Sequence, residues 1–240
     1  MRTFFLTTTL LLAASIGVAQ SFIISYEERA NIENQLKNVT DPQARARVSA
    51  HLSNPRQHTL YYQNGESLYV SNQDKATEED LSVDGGSNIK TITLGQNVGG
   101  LYKNHQKNEF LHEGNVLGKV FLVTDRLEPY NWQLAEEEKQ IGPYLAHKAT
   151  TKVDDKDIIA WYTLEFPIQD GPKDYYGLPG LIIELHAPKM SYHATAITPS
   201  QSVIEIVKPS KGEKTTRAKY KKTLENKISE LKRNTENPPF

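Results

Sequence analysis

The stretch Tyr175-Tyr176-Gly177-Leu178-Pro179-Gly180-Leu181-Ile182-Ile183-Glu184-Leu185 reads as a turn that runs straight into a strongly apolar strand. Pro179 fixes its own φ and drives Leu178 into an extended conformation. Pro followed by Gly suits the two central positions of a type II turn, whose second residue needs φ > 0. Gly177 offers a second permissive point. Beyond the turn, Leu181, Ile183 and Leu185 fall on one face of a strand, and Ile182, Glu184 and His186 on the other. The stretch is a sharp corner that sets strand register; the competing reading is a loop that lines a site.

Working outward, short strands separated by turn signals are expected at 140–151, 158–166, 192–197 and 203–207. Further strands are expected at 22–25, 59–63, 67–71, 89–94, 101–105, 109–112 and 119–124, with Asn64-Gly65 closing a hairpin. Residues 26–52 look helical in one or two pieces, Thr40 or Asp41 capping the second and Pro42 in its first turn. At the far end Tyr220, Leu224, Ile228 and Leu231 form one apolar stripe, so a helix over about 213–234 should pack on the sheet. The fold class is mainly β (α+β): a curved antiparallel sheet or half-barrel, with an N-terminal helical segment and a packed C-terminal helix. Residues 20–240 make a single domain.

Met1-Arg2, the apolar run Phe4 to Val18 and the small residues Gly17-Val18-Ala19 have the form of a secretory signal peptide over residues 1–19, cut after Ala19. The run is shorter than the ~20 residues of a membrane span. The mature protein is expected in the periplasm or secreted. The chain has no Cys, which excludes disulfide frameworks, thiol catalysis and Cys-based metal sites. Charge is unevenly placed: residues 208–233 hold ten Lys/Arg against three Glu, while 20–207 carry an acidic excess. The helix is read as a solvated basic face on an acidic body, or as a surface for an anionic envelope partner.

Catalytic signatures are scarce: there is no nucleophile elbow, phosphate loop or zinc-protease helix. The acidic loop 72–90 lacks the spacing of a calcium site. His186 and His193 flank a hairpin turn, and a two-residue loop at Lys189-Met190 would set them opposite each other. Without a third ligand they are read as ordinary His, so no metal, cofactor or catalytic residue is assigned. The enzymatic alternative is a hydrolase using Glu165, Asp170 or His186, and it requires two of these to converge; Asp174 beside them is read as an ordinary polar-loop carboxylate.

Ile159-Ala160-Trp161-Tyr162-Thr163, then Gly171-Pro172, then Tyr176 to Ile182 resemble the GLPGLI family of exported Bacteroidetes proteins. Trp132, the segment 138–150 and Ile206-Val207-Lys208-Pro209 extend the resemblance over most of the mature chain. Leu164 stands where the family usually has Pro, so the strand through Trp161 should run on towards Pro167. Leu145-Ala146 replaces a Cys-containing stretch of many relatives. The resemblance implies export and no particular reaction. Genes of the family often lie near outer-membrane TonB-dependent receptors, which implies an accessory role as one alternative. The leading expectation is a non-catalytic envelope protein that binds a small or apolar ligand. Trp161, Tyr162, Tyr176, Gly177, Leu178, Pro179 and Gly180 are the signature and candidate ligand-facing residues.

Overall fold

The computed structural model describes residues 21–37, 39–72, 77–82, 88–93, 100–200 and 202–236, and for 77–93 and 231–236 within these the backbone alone. The expected signal peptide lies outside the described residues, as do Asp74 and Asp84 of the acidic loop. The chain starts with β1 (Ser21–Ala30), α1 (Ile32–Leu36) and α2 (Pro42–Leu52). Next come β2 (Arg56–Gln63), β3 (Glu66–Ser71), β4 (Thr77–Ser82), β5 (Asn88–Thr93), β6 (Leu101–Asn104), β7 (Glu109–Val116) and β8 (Lys119–Asp125). The second half holds β9 (Gln133–Ile141), β10 (Tyr144–Val153), β11 (Lys156–Thr163), β12 (Leu181–His186), β13 (Met190–Ser200), β14 (Glu213–Thr215) and α3 (Arg217–Glu236).

Twelve strands form one open sheet in the order β14-β8-β7-β6-β3-β2-β1-β13-β12-β11-β10-β9, and β4 pairs with β5 apart from it. The expected antiparallel sheet is mixed at one edge, because β14 runs parallel to β8. Local chemistry sets the hairpins. Asn64 (φ 49°) and Gly65 (φ 81°) make the β2–β3 turn, and Leu117 (φ 51°) with Gly118 (φ 86°) repeat that geometry between β7 and β8. Asp41 caps α2 by accepting from the Ala44 amide at 2.6 Å, with Pro42 in the first turn.

Strand alternation divides the side chains between two faces. Phe22, Ile24, Tyr26, Leu60, Tyr69, Phe110, Val123, Ala149, Ala160 and Leu185 enter one core, with Ile168, Tyr176 and Leu178 of the β11–β12 connection packed among them. We call this the inner face. On the outer face Leu68, Val70, Tyr102 and Leu111 form a smaller cluster covered by Ile206. The expected strand at 203–207 is irregular chain; Ile206 serves as that cover and Ile204 is buried.

The expected packing of α3 holds for one residue of the stripe. Tyr220 lies edge-on to His112 and Phe121, and a Cβ on Gly114 would fall 2.3 Å from its hydroxyl. Leu224 and Ile228 are 39% and 44% exposed, so the described stripe leaves the sheet after its first turn; Leu231 lies outside the described side chains. Tyr220→Ala should therefore destabilise the protein by about 2 kcal/mol and speed amide exchange along α3, whereas Leu224→Ala should cost under about 0.5 kcal/mol. Equal effects of the two substitutions in urea unfolding would contradict this docking. Among the described residues no helix is long and apolar enough to cross a membrane.

Candidate functional site

The 175–185 stretch is a cover over the inner face. Tyr176, Leu178 and Tyr162 are buried, Leu178 at 1% exposure, while Gly177 and Pro179 reach the surface. Trp132 Nε1 donates to the Tyr176 carbonyl at 2.9 Å, the Tyr176 hydroxyl donates to the Glu128 carbonyl, and the Gly177 amide donates to the Gln169 carbonyl at 3.1 Å. The positive φ of the turn belongs to Gly177 (+90°) and not to Gly180, which corrects the type II assignment. Gly180 is required for another reason: a Cβ there would lie 2.0 Å from the Thr163 carbonyl oxygen. The strand through Trp161 stops at Thr163, earlier than expected, and Leu164 is exposed.

A register shift between Trp161 and Tyr162 sets Glu184 opposite Trp161 and Ile182 opposite Tyr162, interrupting the alternation at Ile183. Ordinary alternation along β11 separates the candidate ligand-facing residues. Tyr162 joins the inner core, while Trp161 lies beneath the ammonium of Lys139, 4.3 Å from its ring centroid. They do not share one surface.

Beneath the cover lies a buried charge cluster. Lys103 alternates inward on β6, pairing across to Ser67 and Phe110, and its ammonium meets Asp170 with both side chains fully buried. Lys103 Nζ also donates to the Lys173 carbonyl at 2.7 Å and the Gly171 carbonyl at 3.2 Å. His105 Nε2 lies 3.1 Å from Asp170 Oδ2, and the Gly171 amide donates to Oδ1 at 2.7 Å. Burial pushes the Asp170 carboxyl up; the Lys103 ammonium and then His105 overturn that and hold it down at about 2. Every polar atom described on Asp170 is engaged, so the cluster ties the cover to the sheet.

The second cluster is incomplete. Arg56, Glu28 and Tyr192 lie side by side on β2, β1 and β13, and the next inward row holds His58 and Tyr26. Glu28 is 3% exposed. Arg56 Nη1 stands 3.6 Å from its Oε1, and Lys173 Nζ from the cover is 3.3 Å from Oε2. His58 Nε2 is 3.7 Å from Oε2, and its ring stacks on Tyr69 at 5.0 Å. Burial lowers the His58 pKa against the opposing pull of Glu28, so the ring is neutral near pH 7. Glu28 Oε2, both His58 ring nitrogens and the Tyr69 hydroxyl make no well-formed hydrogen bond among the described residues, although Lys173 approaches Oε2 and the Val70 backbone lies beside His58. Four such atoms in one place are unusual, because buried polar groups are almost always satisfied.

Glu28 also lines a cavity of about 160 Å³, together with Ala30, Gln35, His51, Leu52, Asn54, Arg56 and Met190. The short helices build its wall. Asn34 Nδ2 and Gln35 Nε2 donate to the Pro188 and Lys189 carbonyls at 3.0 and 2.9 Å, fastening α1 to the β12–β13 turn. Sequence reasoning placed residues 26–30 in a helix and so missed Glu28. The available signal was the continued alternation Phe22, Ile24, Tyr26, Glu28, which ends with a charge pointing inward.

On the outer face, His186 pairs with Ser191, and His193 pairs with Glu184, two residues from the expected register. The imidazoles are still neighbours at 5.6 Å, and Glu184 accepts from Lys139 and meets His186, both at 2.6 Å. Burial raises the Glu184 pKa, and its bonds to His193, Lys139 and His186 bring it well below the usual carboxylate range. Among the described residues no group of three His, Asp or Glu side chains is arranged to hold a metal. The hydrolase candidates are not brought together: Asp170 engages Lys103 and His105, His186 engages Glu184, and Glu165 lies at the exposed start of the connection.

Comparison with known proteins gives a family match over one segment and a shared fold. A family described as "Protein of unknown function (Porph_ging)" matches residues 150–184, a stretch that includes Asp170, Lys173 and the whole turn. Two structures of PNGF-II share the fold. The C2 form aligns with a TM-score of 0.52 and 15% identity over 87% of this chain, and the P21 form with 0.51 and 14% over 87%. The chain spans about a third of the length of those structures, 33% and 34%. No curated protein matches it by sequence.

Proposed function

We propose that this is an exported, non-catalytic binding protein of the bacterial envelope, of the GLPGLI type, whose ligand site is the Glu28 cavity. The observation that carries the reading is a cavity of about 160 Å³ whose lining pairs the buried carboxylate of Glu28 with the half-exposed Arg56 guanidinium. Charged groups set among apolar and amide side chains in a concavity are the usual make-up of a small-molecule site. The N-terminal signal-peptide pattern supports export. The curl of the sheet into a half-barrel belongs to the same reading, but its hollow is taken by Ile168, Tyr176 and Leu178. The ligand is therefore small and polar, bound beside the helices, and is not an apolar molecule held beneath the turn.

The test is native mass spectrometry of the mature protein from its own envelope, with thermal-shift screening against small polar metabolites. The wild-type protein should carry a low-mass adduct or gain several degrees with one ligand class. Glu28→Gln should weaken that binding on the order of tenfold, since a hydrogen bond to a charged group is lost. A protein that carries nothing and responds to none of the library would end the proposal.

A further inference from the structure

The wall chemistry of the cavity narrows its ligand, and the step rests on the binding reading above. Two opposite charges stand side by side on this wall: Glu28, 3% exposed, and Arg56, whose Nη1 is 3.6 Å from Glu28 Oε1 and whose side chain is half exposed. The rest of the lining holds no Asp, Glu, Lys or Arg: Gln35 and Asn54 offer amides, His51 an imidazole, and Ala30, Leu52 and Met190 apolar surface. Lys173 reaches Glu28 from the cover and does not line the cavity.

A purely cationic ligand would meet Glu28 with two cations, Arg56 and Lys173, already beside it. A purely anionic ligand would be pressed against a buried carboxylate. A molecule with an ammonium and a carboxylate on one carbon carries the complementary pair and adds no net charge, its ammonium on Glu28 and its carboxylate on Arg56. The volume sets the remaining limit. A cavity of about 160 Å³ is close to the ~150 Å³ space that holds one benzene, so the ligand has a small side chain. Leu52 and Met190 supply an apolar seat for it. We infer that the Glu28–Arg56 cavity binds the zwitterionic head of a small free α-amino acid.

Isothermal titration of the mature protein with L-alanine, L-serine, alanine amide, N-acetylalanine and L-tryptophan tests this. Alanine or serine should bind, and both blocked forms should bind on the order of tenfold more weakly, because each lacks one charge of the pair. Tryptophan should not bind, being too large. Arg56→Gln, at the half-exposed rim, should stay folded because Lys173 remains beside Glu28, and should reduce the preference for alanine over its amide. Glu28→Gln should reduce the preference for alanine over N-acetylalanine. Binding of the amide or the acetylated form as tight as that of alanine would overturn the zwitterion and leave the cavity a binding site. Silence towards all five probes, with a different adduct in native mass spectrometry, would do the same. Silence in both measurements would overturn the binding reading as well.

Discussion

Asp170→Asn is expected to destabilise the protein by about 3–5 kcal/mol and to lower its melting temperature by roughly 10 °C. Asp170 and Lys103 are both fully buried, so the substitution leaves an ammonium in the core with only the Gly171 and Lys173 carbonyls to solvate it. A buried charge without its counter-ion costs far more than the pair itself contributes. The double variant Asp170→Asn/Lys103→Met should consequently be more stable than Asp170→Asn alone. The same site governs acid behaviour. Its carboxyl is held at about 2, below the ~3.9 of an unfolded chain. The associated stability is complete above pH ~4 and is lost as pH falls through about 2, on the order of 2 kcal/mol in total. Urea midpoints from pH 5 to pH 2 should fall more steeply for the wild type than for Asp170→Asn. A single variant within about 1 kcal/mol of the wild type would show that the cluster does not hold the cover in place.

The parts of this architecture that could be read in advance are those with local causes. Asn64-Gly65 specifies a turn geometry that few other pairs adopt, and the β2–β3 hairpin forms there with Gln63 opposite Glu66. Asp41-Pro42 starts a helix through a side-chain cap and a missing N–H. β9 was not legible, because it is an edge strand carrying Glu136, Glu137, Glu138 and Lys139, and its identity comes from pairing with β10. Charge on such an edge discourages pairing with another chain, and it also hides the strand from any apolar pattern. The inward charges Glu28 and Lys103 posed the same difficulty. Each stands where alternation calls for an apolar residue, and each is met by a distant partner, Lys173 or Asp170, with Arg56 of β2 also beside Glu28. Lys173 and Asp170 lie in the cover, so neither cluster can be inferred before the cover is placed. The register of His193 against Glu184 likewise depends on where the turn closes: Pro188-Lys189 form its two-residue loop, one position earlier than Lys189-Met190.

Gly180→Ala should be among the most damaging single-methyl substitutions in the described chain, at about 3 kcal/mol or more. The added Cβ would lie 2.0 Å from the Thr163 carbonyl oxygen, 2.8 Å from its carbon and 3.3 Å from Leu164 Cα, and all three are backbone atoms. Side chains can rotate away from an intruding methyl, but here the end of β11 would have to part from the start of β12. Overpacking ordinarily costs about 1–3 kcal/mol, and a rigid backbone contact belongs at or beyond the top of that range. Gly177→Ala makes the contrast. Its Cβ would meet open space, but φ is +90°, so the cost is conformational strain of about 1–2 kcal/mol. Gly171→Ala meets the Ile182 side chain at 2.8 Å and should fall between them as that side chain shifts. Urea unfolding of the three variants checks the ranking, and a Gly180→Ala midpoint as mild as that of Gly177→Ala would refute it. The expected ranking gives the two glycines of the turn different physical reasons, one a backbone angle and the other a contact between two chain segments. Pro179 stands between them and fixes the path from one constraint to the next. Leu178, at 1% exposure, is thereby delivered into the core ahead of β12.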